Sequence, residues 1–193
     1  MKDDIASRIK EHNEVINTIL GDKDILGKLE LVTKKIVEAY KSGGKLVIFG
    51  NGGSASDAQH IAGELVSKFY LDRPMLNALA LNVNSSIITA IANDISFDDI
   101  FARQVEHLVD YKDVVIGLST SGNSRNIIKA LQVAKNKGAL AIGFTGMSGG
   151  KLKDYVNVLV NIPSDSTPRI QEAHILAGHI ICELVERELF GRR

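Results

Sequence analysis

His60 and Glu64 are four residues apart and share one face of any helix that carries them. An imidazole and a carboxylate so placed can hold a metal ion together, or divide the work of general base and acid. Such a pair alone is usually a surface contact. Two features single this one out. It follows directly on Gly50-Asn51-Gly52-Gly53-Ser54, a glycine-crowded turn that lets backbone approach a ligand closely. Far along the chain, Gln171, His174 and His179 also lie in a strongly apolar segment, where an unpaired polar ring is costly. Two histidines, a carboxylate and an amide oxygen make a plausible zinc set with room for solvent or substrate. The same atoms could serve proton transfer instead. His174 and His179 differ by about 140° around a helix, so one site uses one of them. Gln171 and His179 are about 12 Å apart along a helix axis. Both can reach one ion only if their side chains stretch toward each other, or if one comes from a neighbouring subunit; the second is the expectation here. Asp57 stands one turn before His60. His12 and His107 lie in charged surroundings and read as surface groups.

A second loop, GLSTSGNS (117–124), offers Ser119, Thr120, Ser121 and Ser124, with Gly122 and Asn123 permitting unusual backbone angles. One helix cap needs one alcohol, whereas here four alcohols fall within six residues. Alcohols and free backbone N–H groups at a helix start make a phosphate cradle. The lysine of a nucleotide P-loop is missing. Residues 50–55 fit the dinucleotide glycine pattern, but the second strand ends in Asn82 rather than the acid a ribose needs. The phosphate is thus expected to be a handle that is gripped, not a group that is transferred.

The elements that must position these loops follow from periodicity. Helical spacing predicts helices over 3–20 and 24–42, the second stopped by Gly43-Gly44. Apolar runs predict strands at 45–50, 78–81, 113–119, 139–146 and 156–162. Helices are expected at 54–70, near 85–92, near 98–110, at 124–137 and at 167–189, the last with Thr167 as cap and Pro168 as first helical residue. Strands alternating with helices give an α/β fold with a five-stranded parallel sheet covered on both faces. Open parallel sheets bind ligands beyond the carboxyl ends of their strands, where both loops fall. The last helix is apolar nearly all round, more than one sheet can cover. With the helices of residues 1–43, this predicts an oligomer built around a helical bundle.

The 193 residues suit a single domain spanning 1–193. Apolar residues make up 45% and charged residues 24%, and 23 basic residues balance 23 acidic ones. That balance gives no bulk attraction to nucleic acid or to an anionic membrane. Cys182, the single cysteine, lies in an apolar run and reads as a packed thiol, which fits a reducing, cytoplasmic location. The first residues carry no apolar signal segment and no run is long enough to span a membrane.

GNGGSASDAQH together with GLSTSGNS resembles the sugar isomerase (SIS) domain, and more narrowly the phosphoheptose isomerase family; residues 91–108 and 166–186 extend the likeness. The resemblance implies a flavodoxin-like sheet and a homotetramer with sites at subunit interfaces. It implies conversion of sedoheptulose 7-phosphate to D-glycero-D-manno-heptose 7-phosphate, the first step toward nucleotide-activated heptose. By motif position it puts one zinc ion per subunit on His60, Glu64, Gln171 and His179. Substrate contacts fall on Asn51, Gly52, Gly53, Glu64, Asn93, Asp94, Ser119, Thr120, Ser121, Ser124 and Gln171. Glu64 is expected as base and His179 as its acid partner. One branch of the family keeps the fold, binds the bacterial replication initiator and carries Asn in place of His179; the full set present here favours the enzyme. A sugar-phosphate-sensing regulator would bring a DNA-binding helix-turn-helix, for which the residues before the first strand leave no room.

Overall fold

The runs of valine, isoleucine and leucine form central strands because a sheet covered on both faces needs apolar side chains pointing both ways. The computed structural model describes residues 1–191. Strands β1 (Leu46–Gly50), β2 (Ala78–Ala80), β3 (Val114–Leu118), β4 (Leu140–Thr145) and β5 (Val158–Asn161) form one parallel sheet in the order β2-β1-β3-β4-β5. This is the flavodoxin-like order. Helices are α1 (Lys2–Gly21), α2 (Lys23–Lys41), α3 (Gly53–Val66), α4 (Ser85–Asp94), α5 (Ala102–Leu108), α6 (Arg125–Asn136) and α7 (Thr167–Phe190).

Successive strand residues serve opposite cores. Leu46, Ile48, Ile116 and Phe144 pack with α2, α3 and α7. Val47, Phe49 and Val115 pack with α5 and α6 on the other face. Helix α1 lies outside α7, where Val15, Ile16 and Ile19 meet Ile162, Ile170 and Ala173. His12, expected on the open surface, is instead half-buried: its Nδ1 meets Glu172 Oε2 of α7 at 2.8 Å. No described helix is long and apolar enough to cross a membrane.

Three departures from the sequence reading stand out. Helix α3 stops at Val66, not near Tyr70. Glu186 of α7 accepts the backbone N–H groups of Phe69, Tyr70 and Leu71, which a continuing helix would have used internally. The helix expected near 98–110 is broken: Ser96 caps a single 3-10 turn, Phe97–Asp99, before α5 begins at Ala102. Ser166, not Thr167, flanks the start of α7, which places Pro168 one step further in. Gly43 ends α2 as expected, with φ +78°.

Strand order decides where the loops that follow the strands go. The order in which strands are added reverses between β1 and β3, whose last residues, Gly50 and Leu118, are register partners. The connections leaving β1 and β3 part toward opposite faces there and open a crevice. The two loops singled out in the sequence, 51–53 and 119–124, are those connections.

Candidate functional site

Helices α3 and α7 run side by side, with Gln171 at one end of the seam and His60 and His179 further along it. A Cβ at Gly178 would stand 2.5 Å from Ile61 Cδ1, so glycine there permits the close approach. The adjoining residues then meet: His60 Nε2 and His179 Nε2 are 2.9 Å apart. Glu64 Oε1 lies 3.1 Å from His60 Nε2, as the four-residue spacing requires. The donor atoms of His60, Glu64 and His179 all fall within 4.8 Å of one another. Two imidazole nitrogens on a tetrahedral zinc at about 2.05 Å are about 3.3 Å apart. The three donors therefore fit zinc in chemistry and nearly in spacing. His60 is half-exposed, so the cluster opens to the surface of the chain.

Gln171 packs against the start of α3. Its amide lies over Gly53, where a Cβ would be 2.7 Å from Nε2. Within one chain His179 joins His60 and Glu64.

The other ionisable groups on this seam have distinct surroundings. Burial raises the Asp57 carboxyl above its ordinary pKa, against the pull of nearby His60, and Asp57 Oδ2 has no hydrogen-bond partner. His174 points under the sheet toward the Thr145 carbonyl at 3.3 Å, and burial lowers its pKa to about 4. It is a neutral core residue, as the angular argument against a site using both histidines allows. Burial pushes the Cys182 thiol up to about 12, with the Glu64 carboxylate adding to it, so Cys182 is an inert packed thiol.

In the second loop the alcohols are not spent on capping. Ser124 flanks α6 without a side-chain cap bond; its Oγ instead accepts from Ser119 Oγ at 3.0 Å. Ser121 Oγ accepts the Asn123 N–H at 3.1 Å. The loop is braced from behind by residues 146–152. Gly146 N–H donates to the Thr120 carbonyl, Leu152 N–H to Gly122, and Lys151 N–H to Asn123 Oδ1. Gly122 has φ +65°, and a Cβ on it would stand 2.2 Å from the Gly149 carbonyl oxygen. Gly122→Ala must therefore displace the loop. Its affinity for inorganic phosphate, measured by calorimetry, should fall about tenfold, the equivalent of 1.4 kcal/mol. Unchanged affinity would place the anion elsewhere.

Asn93 and Asp94 stand exposed at the end of α4, where Asn93 Nδ2 donates to Asp94 Oδ1 at 2.8 Å. Asn82, noted only for not being an acid, grips the end of β1: its Nδ2 donates to the Gly50 carbonyl at 2.7 Å. Two further residues were not anticipated. Arg73 donates to the backbone carbonyls of Glu64 and Leu65, anchoring the end of α3 beneath the cluster. Asn126, second residue of α6, pairs with Asn51. The arginine carried no periodic signal. The GNSRN run had placed an amide just past the alcohols without saying what it would face.

Residues 12–146 match the family model described as SIS domain. The chain is 50% identical to the phosphoheptose isomerase of Aneurinibacillus thermoaerophilus over 193 residues, covering all of this chain and 98% of that protein. It is 49% identical to the phosphoheptose isomerase of Clostridium acetobutylicum, again over all of this chain and 98% of the relative. Among solved structures, phosphoheptose isomerase from Neisseria gonorrhoeae superposes with a TM-score of 0.89 at 35% identity, covering 95% of this chain and 98% of that one.

Proposed function

The chain belongs to the phosphoheptose isomerases of the SIS-domain family, and we propose that its seam cluster and its two loops form one sugar-phosphate isomerase site. The enzyme converts sedoheptulose 7-phosphate to D-glycero-D-manno-heptose 7-phosphate, the first step of nucleotide-activated heptose biosynthesis. The observation that carries the reading is the meeting of His60, Glu64 and His179 in one cluster.

Moving a carbonyl from C2 to C1 requires a proton to leave C1 and one to reach C2, through an enediolate. Ser119, Thr120, Ser121 and Ser124 hold the phosphate at the start of α6, where the helix dipole favours an anion. Asn51, Gly52 and Gly53 hold the sugar chain at the adjoining strand end, and Asn93 and Asp94 contact its hydroxyls. Glu64 takes the C1 proton, and His179 carries a proton for the oxygens. One Glu64 oxygen faces His60 at 3.1 Å, and a carboxylate has a second oxygen to accept a proton. His60, Glu64 and His179 would hold the zinc ion, with Gln171 as fourth ligand. Bound there, zinc would supply Lewis-acid stabilisation of negative charge on the reacting oxygens.

The assembly is a homotetramer with sites between subunits, in which Gln171 of one copy completes the cluster of another. Supporting this, Leu176 and Ile180 of α7 and Ile5 and Ile9 of α1 are exposed in the single chain. The cytoplasm, where sugar phosphates are made and consumed, is its location.

Zinc-loaded protein incubated with sedoheptulose 7-phosphate should yield the aldose phosphate; chelation should remove the activity and added zinc restore it. A zinc-loaded wild type that binds the ketose phosphate without turning it over would contradict this reading and point to the non-catalytic branch, a protein that binds the replication initiator or senses sugar phosphate.

A further inference from the structure

We propose that Asn126 is a positioning residue that fixes the Asn51 amide and locks the two ligand loops at one spacing. Asn126 is buried, so it acts through Asn51 rather than on a ligand. The two amides face each other reciprocally. Asn51 Nδ2 donates to Asn126 Oδ1 at 3.0 Å, and Asn126 Nδ2 donates to Asn51 Oδ1 at 2.9 Å. The sheet ladder between β1 and β3 ends at Gly50 and Leu118. Beyond it the amide pair is a side-chain strut from the glycine turn to the first turn of α6.

The orientation of both amides follows from one backbone donor. Ile127 N–H donates to Asn126 Oδ1 at 3.0 Å. An N–H can only donate, so the atom it meets must be the carbonyl oxygen. The Asn126 NH₂ must then face Asn51, and Asn51 must answer with its oxygen. Each amide has spent one N–H and one lone pair on the pair. Asn51 keeps a second N–H and a second lone pair, presented at a fixed angle. Backbone at α6 thus dictates, through Asn126, which atom Asn51 offers to a polyhydroxylated substrate. Ser124, the last of the alcohols read as gripping the phosphate, flanks that first turn of α6, so the strut also sets the distance between phosphate and sugar contacts.

The inference rests on the reading of Asn51 as a substrate contact, and the test separates the two. Asn51→Ala, Asn126→Ala and the double variant are compared by steady-state kinetics with sedoheptulose 7-phosphate. Each single variant should raise KM about tenfold, the weight of lost hydrogen bonds, while kcat changes far less. The double variant should match Asn51→Ala alone, because Asn126 acts only through Asn51. Asn126→Asp, nearly the same shape with an oxygen where a donor is needed, should raise KM likewise while melting in one transition. It serves in place of Asn126→Ala should the alanine variant not fold. A raised KM in Asn51→Ala with unchanged KM in both Asn126 variants would overturn the positioning role and leave the site reading intact. Additive effects in the double variant would also overturn it. Wild-type KM in Asn51→Ala would overturn the site reading and the proposal together.

Discussion

Glu64→Gln should turn over sedoheptulose 7-phosphate about 10²- to 10⁴-fold more slowly than the wild type, the contribution of a positioned proton-transfer group. The substitution keeps the side chain's length and an oxygen to face His60, now 3.1 Å from Glu64 Oε1. It removes the one property isomerisation needs there, a basic oxygen able to take a carbon-bound proton. Binding should suffer less, because the alcohols at Ser119 and Ser124 and the Asn51 amide are untouched. The loss therefore belongs in kcat with KM little altered, read by steady-state assay of the aldose product. Loss confined to KM would make Glu64 a binding group and leave the base unassigned.

Glu186→Ala should cost about 3–5 kcal/mol of stability, the usual consequence of removing one partner from a buried ion pair. Glu186 and Arg73 are both almost wholly buried, with Arg73 Nε 2.8 Å from Glu186 Oε1. The same carboxylate accepts from Phe69, Tyr70 and Leu71 at 3.1, 2.8 and 3.0 Å. Without it, a guanidinium and three N–H groups lose their acceptor. In a chain of this length the melting midpoint should drop by roughly 10 °C. Burial by itself raises the Glu186 pKa; the N–H groups of Tyr70, Phe69 and Leu71, with Arg73, outweigh it and hold the carboxyl below its ordinary value. A carboxyl lowered in the folded state stabilises above its unfolded pKa, and that stability fades as pH falls through the folded one. Acid destabilisation below about pH 4.5, the ordinary glutamate value, should accordingly be shallower in Glu186→Gln than in the wild type. Because Arg73 also holds the Glu64 carbonyl, both variants should lose activity along with stability.

What could be read in advance, and what could not, divides by sequence distance. KLVIFG and DVVIGLS declare buried strands by composition. The pairing of His60 with Glu64 follows from helix geometry, which also keeps His174 and His179 from sharing one site. The end of α3 did not, because a residue more than a hundred positions away settles it: Glu186 captures the N–H groups that would have carried the helix onward. Asn126 and Asn82 were hidden for the same reason. Each looks like a turn residue until the fold shows which backbone or amide it faces. His12 read as a surface group because its partner, Glu172, lies on a helix at the other end of the chain.

The central claim is that Glu64, set beside His60 and His179, moves a proton and not a hydride between C1 and C2. Running the isomerisation in deuterium oxide tests it most directly, with the isotope located by NMR in the aldose product. A proton carried on a carboxylate can exchange with solvent, so deuterium is expected at C2. In Glu64→Gln that incorporation should slow in step with turnover. Product formed over many turnovers with no deuterium at C2 would mean direct transfer of hydrogen from C1 to C2, and would contradict the account.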